Sequence, residues 1–440
     1  QIARITIVKL NCGIKVGSSA LIKRLLVLAL CFSCQADSDV DVDVESTGLP
    51  ESSLSIEKAL TLALDAHPLI LSAQGQFNAA ESDLGASKWS RFPTVGANLL
   101  DSSDNNSNQK STSVSMPIWV GGRLSADVAL ASARRDGAFA AISESRQTVM
   151  IETINVFFEF YQSQQKLLIA SQNVDEHQRL YEIIQRRATA STSPDVDTML
   201  ALARLQYAKS GQIQASSKRS ISRSSLELLI SNPVAAVQIG QAPQSLNIDI
   251  EKAVAQGLAV SPRLERLSHE AEGLDASVKS ARSALFPQVS LGYEKRYGDL
   301  LPGQIKSEEV FVSVEFQPGA GLSVASSISA AKARKRAALN TLEAEKRDVR
   351  RQVKTAWNEY SFASLQLGPS KSLVVATTSV VDSYLRQYAV GKKSWLDVLN
   401  AQREATQAKN TLVDFEVLQL TSLYRLRVLL NEINSSLLEV

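Results

Sequence analysis

Little in this sequence is suited to catalysis. Its three cysteines, Cys12, Cys31 and Cys34, lie near the start and none follows them. The long remainder therefore needs neither a disulfide nor a thiol nucleophile. The three histidines, His67, His177 and His269, are scattered without metal-ligand spacing, and His67, beside Pro68, reads as a helix-end residue. No glycine-rich phosphate loop follows a strand pattern, and there is no nucleophile elbow. No catalytic residue, metal ligand or cofactor is expected. Aromatic residues make up only 6% of the chain, and the formal net charge of +2 comes without a sustained basic run. That argues against a nucleic-acid surface.

Membrane-spanning helices are missing too. The apolar run "LLVLALCF" at 25–32, preceded by Lys23-Arg24, is too short to cross a bilayer. It has the pattern of a secretory leader, expected over 1–36 with cleavage near Ala36. Cys34 is an alternative as a lipid-anchoring residue, although Cys31 fits that motif poorly. The acidic stretch "DSDVDVDVE" then opens a segment, 37–53, that has nothing to pack against and is expected to be disordered.

Proline and glycine are scarce in two long stretches. Between Gly122 and Pro194 there is no proline and only Gly137 as glycine; between Leu322 and Gly368 there is neither. Val149, Ile154, Phe157, Tyr161 and Leu168 fall at helical spacing, with Gln, Glu, Lys and Ser opposite. A helix of roughly 65 residues would extend about 100 Å, more than a globular domain needs, so coiled-coil packing is expected. Phe157, Phe158 and Trp357 read as part of that packing rather than as a ligand cage. Short breaks at 186–197 and 388–397 turn the chain back.

What is present occurs twice. Ile56, Glu57, Lys58 and Ala59 return as Ile250, Glu251, Lys252 and Ala253, Pro68 as Pro262, and Phe92-Pro93 as Phe286-Pro287, all displaced by 194 positions. Val114-Ser115 returns as Val312-Ser313 at 198, and Glu159 and Asp197 return as Glu359 and Asp397 at 200. The period is too long for a solenoid. The chain reads as two similar halves, 54–232 and 246–440, joined by a connector over 233–245.

In each half the helical pattern yields to a period of two. In 92–120, Val95, Ala97 and Leu99 alternate with Thr94, Gly96 and Asn98; after a polar loop over 101–110, Val114, Met116 and Ile118 alternate with serines. The segment 286–317 repeats the arrangement, ending on Val310, Val312, Val314 and Phe316. Two hairpins with one apolar and one polar face have the length and patterning of barrel strands. Four strands cannot close, and an open edge in lipid is costly, so copies must share a barrel. Two copies would supply eight strands, whose side chains fill the interior; three would supply twelve and leave a lumen. The competing reading is a soluble protein whose hairpins pack on a helical bundle.

The paired "IEKA" openings, the two Phe-Pro-x-Val strand starts, "MPIWVGGR" (116–123) and above all "YAVGKKSWLDVLNAQREATQAKN" (388–410) resemble the TolC family of bacterial outer-membrane efflux and secretion channels. The resemblance covers about 54–432. It implies a mainly α fold with β: a homotrimer with a long antiparallel coiled-coil barrel in the periplasm and a shared twelve-strand barrel in the outer membrane of a Gram-negative bacterium. It implies as partners a periplasmic adaptor, an inner-membrane ABC or proton-driven pump, and membrane lipid. The wording "SWLDVLNAQRE" is similar to members serving type I secretion of adhesin-type proteins. Drug or metal efflux is the alternative, and a non-channel periplasmic coiled-coil protein is a third reading.

The same resemblance assigns candidate working residues. Tyr388 and Lys393 match a Tyr and an Arg that link neighbouring coiled coils at the closed periplasmic end, and Asp197 matches their acceptor. Asp397 matches a first ring of aspartates. The second ring position is Asn400, a departure that makes the gate less acidic, and Lys for Arg at 393 loses the bidentate fork. Read from the residues alone, Asp397 and Asp197 are equally suited to capping the returning helices. Gly391 suits a tight turn. Gly391, Lys392 and Ser394, with Ser193 and Pro194 in the first half, are the expected docking tips for the adaptor.

Overall fold

The computed structural model describes residues 53–102, 107–190, 195–240, 248–297, 307–317, 319–321 and 323–433. The expected leader, almost all of the acidic segment, part of the connector, and Ser193 and Pro194 lie outside the described residues.

Each half opens with two short helices divided by proline. Helix α1 (Ile56–Ala66) starts at Ser55, whose side chain accepts from the Lys58 amide. Helix α2 (Pro68–Trp89) starts directly after His67, whose Nδ1 accepts from the Leu69 amide at 3.2 Å. Proline at the first helical position gives up an amide that had no partner there, and its fixed φ suits the turn. Helices α5 (Ile250–Val260) and α6 (Pro262–Ser283) repeat the pattern, capped by Asp249 and Ser261.

After α2 and α6 the Phe-Pro pairs switch the chain to strand. Proline pushes its predecessor out of the helical region, and β1 (Thr94–Ser102) and β3 (Gln288–Tyr297) begin next to it. With β2 (Ser107–Trp119) and β4 (Glu308–Glu315) they form one antiparallel sheet in the order β1-β2-β3-β4. The polar loop expected over 101–110 is mostly strand: the ladder runs on to Ser102 opposite Ser107. Alternation fades there because neither face needs to be apolar, but backbone pairing does not require it.

The long helices follow. α3 (Arg123–Thr189) and α7 (Ser323–Ala389) have 67 residues each; α4 (Asp195–Ile230) and α8 (Trp395–Leu429) return with 36 and 35. At about 1.5 Å per residue the first pair spans about 100 Å. α7 continues through Gly368-Pro369, past the point where the uninterrupted run ends in the sequence. Pro369 has no amide to give to the Leu365 carbonyl, and one lost bond in so long a helix is tolerated.

The core lies where α1 and α5 press on the long helices. Ile56, Ala59, Leu60 and Ala63 meet Val149, Ile154, Phe157 and Phe158, with Leu226 and Tyr424 from the returning helices. Phe157 and Phe158 are fully buried and stack edge-on at 5.4 Å. Each such ring contributes about 1.5–3 kcal/mol through burial. A second cluster joins Ala253 and Val254 of α5 to Val349, Val353 and Ala356 of α7, and the Trp357 indole donates to the Ile248 carbonyl at 3.1 Å.

Candidate functional site

Two ends of the molecule carry features that a packed bundle does not require. The first is the sheet. Its register places Val95, Val114, Tyr293 and Val310 in one row and Met116, Leu291 and Val312 in the next, all on the same face. Val95, Val310, Val312 and Val314 are 66–75% exposed, so among the described residues much of this apolar face is uncovered. The opposite face carries Thr94, Gly96, Asn98, Ser111, Ser113 and Ser115 from the first hairpin. From the second it carries Glu294, Arg296 and Glu309. Arg296 donates twice to Glu294, at 3.0 and 2.8 Å, and lies 3.7 Å from Glu309. The two glutamates are direct cross-strand partners, an unfavourable pairing that Arg296 offsets. Phe311, also on this face, sets the far end of its ring against Gly292, where any Cβ would collide with it.

Aromatic residues gather where the strands meet the helices. Trp89 and Phe92 stack at 4.9 Å below β1, and Trp119 meets Phe286 at 6.0 Å across β2 and β3. The register shifts between Pro117 and Trp119, a bulge that brings Trp119 opposite Val289. Trp89, Phe92, Trp119, Phe286 and Phe316 are all exposed. An apolar band edged by aromatic rings is the pattern of a barrel at a membrane interface.

The second end is the turn between α7 and α8. Gly391 has φ +74°, and its amide bonds to the Tyr388 carbonyl at 3.0 Å while that of Lys392 bonds to Gln387 at 2.9 Å. This is a Schellman ending, which a residue with a Cβ adopts only under strain. α8 then opens on a capping box. The Asp397 amide donates to Ser394 Oγ at 3.2 Å, and the Ser394 amide donates to Asp397 Oδ2, also at 3.2 Å. The Ser394 hydroxyl also donates to Oδ2, at 2.8 Å, and this bond, then that of the Ser394 amide, with Lys393 Nζ 4.0 Å away, hold the Asp397 carboxyl below its ordinary range. The capping reading of Asp397 thus describes its bonds within the chain.

The other expected residues fall as follows. Lys393 also lies 4.5 Å from the Tyr384 ring centroid. Tyr388 is buried, 5.8 Å from Trp395, in a cluster with Leu180 and Ile184 of α3 and Val398 and Leu399 of α8. Asp197 is half-buried in the first turn of α4. Asn400 is exposed one turn beyond Asp397 and borders a polar groove of about 760 Å³ between α3, α4 and α8, where Asn173, His177, Arg204 and Arg403 also lie. Burial and the neighbouring Arg204 push the His177 pKa down. Gly391, Lys392 and Ser394 line the tip, Gly391 and Lys392 both exposed.

Sequence reasoning missed Arg187. Its guanidinium donates to the carbonyls of Tyr388 at 3.3 Å and Ala389 at 3.0 Å, and lies 4.5 Å from the Tyr388 ring. A basic pair, Arg186-Arg187, at the close of a helical run was the available signal, since cations favour helix C-termini. That it serves a different helix was not legible.

Comparison with known proteins agrees with this geometry. The family described as outer membrane efflux protein matches twice, over residues 59–232 and 253–432. The solvent efflux pump outer membrane protein SrpC and the toluene efflux pump outer membrane protein TtgI, both of Pseudomonas putida, are each 24% identical over 311 residues. These matches cover 64% of this chain but 63% of either relative, just under two thirds of their length. Among solved structures, the Campylobacter jejuni CmeC outer membrane channel superposes with a TM-score of 0.76 at 14% identity, covering 93% of this chain and 96% of that one. The chain belongs to the outer membrane efflux protein family.

Proposed function

We propose that the protein is the outer-membrane exit duct of a tripartite efflux pump, assembled from three copies. The observation that carries this is the open four-stranded sheet, apolar on one face and polar on the other, carried on helices of 67 residues. Its free edges, β1 and β4, would be costly in lipid, and three copies joined edge to edge supply twelve strands around a water-filled lumen. Family membership makes the chain a transport conduit rather than an enzyme and puts it in the outer membrane.

Small-molecule export is better supported than the type I secretion suggested by "SWLDVLNAQRE". The curated relatives serve solvent and toluene efflux pumps, whereas nothing in the geometry favours protein cargo. Within this reading the tips at Gly391, Lys392 and Ser394, with Ser193 and Pro194, receive a periplasmic adaptor. Asp397 forms a three-fold ring that attracts cations and repels anions at the constriction, Asn400 stands at the second ring position, and Tyr388 and Lys393 with Asp197 as acceptor link neighbouring coiled coils.

The test is single-channel conductance in a planar bilayer, with the oligomeric mass taken from the same sample. A trimer of small, cation-sensitive conductance is expected. A monomer without conductance would refute the duct. Asp397→Ala is expected to weaken block by divalent cations, and unchanged block would remove Asp397 from the gate.

A further inference from the structure

We infer that Arg187 is a gate-positioning residue: it fastens the α7–α8 turn to the end of α3 and must let go before the tip can widen. The inference rests on the exit-duct reading. The last carbonyls of a helix have no partner of their own. At the end of α7, Lys392 and Gly391 satisfy Gln387 and Tyr388. Arg187, at the end of α3, takes Ala389 and shares Tyr388.

Three things distinguish this contact from a surface ion pair. It is bidentate, one fork spanning two successive carbonyls. It places a cation at the negative end of the α7 dipole. And the same guanidinium lies 4.5 Å from the ring centroid of Tyr388, itself only 8% exposed and packed on Trp395, the first residue of α8. Arg187 thus grips the α7 side of the turn that presents Lys393, Ser394 and Asp397, and reaches the α8 side only through the Tyr388 ring on Trp395. The apolar cluster beneath it, Leu180 and Ile184 against Val398 and Leu399, is non-directional and tolerates sliding. The fork does not, because each N–H must meet its own carbonyl.

The experiment uses the full chain with Cys12, Cys31 and Cys34 replaced by serine. Spin labels go on Ala190→Cys and Val390→Cys, both exposed, one at each helical tip. Labelled chains are diluted with unlabelled ones so that only distances within a chain are read. Arg187→Ala is expected to lengthen and broaden the distance distribution and to raise open probability in the bilayer about tenfold, the effect of losing about 1.4 kcal/mol from the closed state. Arg187→Lys keeps the charge but not the fork and should fall between wild type and the alanine variant.

An unchanged distance distribution in Arg187→Ala would overturn the inference. So would a changed distribution with wild-type gating, or wild-type gating in Arg187→Lys. If the unsubstituted protein were monomeric and silent, the duct reading itself would fall, a result separable from any of these.

Discussion

Replacing Gly391 with alanine isolates one backbone conformation from every other property of the tip. A Cβ at this position would meet no atom within 4 Å, so the substitution adds no clash. Its cost is conformational. At φ +74° an alanine pays about 1–2 kcal/mol. Its smaller loss of unfolded-state freedom returns about 0.4–1 kcal/mol. The net is about 1 kcal/mol, or roughly a five-fold rise in the population of the locally opened turn. Hydrogen exchange reads this directly. The amides of Gly391 and Lys392 donate the two bonds of the helix ending. In Gly391→Ala the Lys392 amide should lose roughly five-fold protection, while amides around Val149 in the core keep theirs. Gly391→Asn should lose less, because asparagine visits the left-handed region more readily. Equal protection in wild type and Gly391→Ala would refute the argument, as would a loss of equal size throughout α3.

Other consequences are open to test. At Gly257 a Cβ would come 2.8 Å from Val353 Cγ2 in the α5–α7 core. Gly257→Ala should therefore cost about 1–3 kcal/mol by overpacking, and an unchanged denaturation midpoint would contradict the packing described. Tyr424 donates to Glu57 at 3.2 Å, and burial followed by the Glu57 charge raises its pKa. Its neutral form is thus favoured in the folded state: the contribution is intact below about pH 10 and is lost as pH rises further towards the folded pKa. Urea midpoints should fall more steeply above that pH in wild type than in Tyr424→Phe. Finally, if the polar face of the sheet lines the lumen, Glu294→Gln with Glu309→Gln should shift the reversal potential towards anions. Arg296→Gln should shift it the other way; shifts of the same sign would refute the lumenal placement.

Much of this architecture could be read from residue order. The lack of glycine and proline between Leu322 and Gly368 marked a long helix. Phe-Pro marked the change to strand both times, because proline's restriction on its predecessor is local and acts wherever it occurs. The capping box was partly legible for the same reason, since Ser394 and Asp397 stand three apart. What could not be read depends on contacts between distant segments. Glu294 and Glu309 become neighbours only through the register of β3 and β4. The bulge near Trp119 follows from pairing with β3, and Arg187 finds its acceptors 201 and 202 positions away. The full length of the hairpins is not legible because a hydrophobic period reports burial, and paired strands that leave the apolar band have none to report.

The order of the strands also constrains how such a molecule comes to exist. Among the described residues β1 and β4 stand at opposite edges of the sheet, each with one side unpaired, while the helices below have a core of their own. A chain newly arrived at the membrane can therefore settle its helical part alone. Its strands have no resting place in lipid until neighbours arrive. If the protein is the proposed three-copy duct, insertion is a reaction of higher order than folding: its rate rises with the concentration of arrived chains, and a shortage leaves sticky strand edges in the aqueous phase, exposed to proteases and to one another.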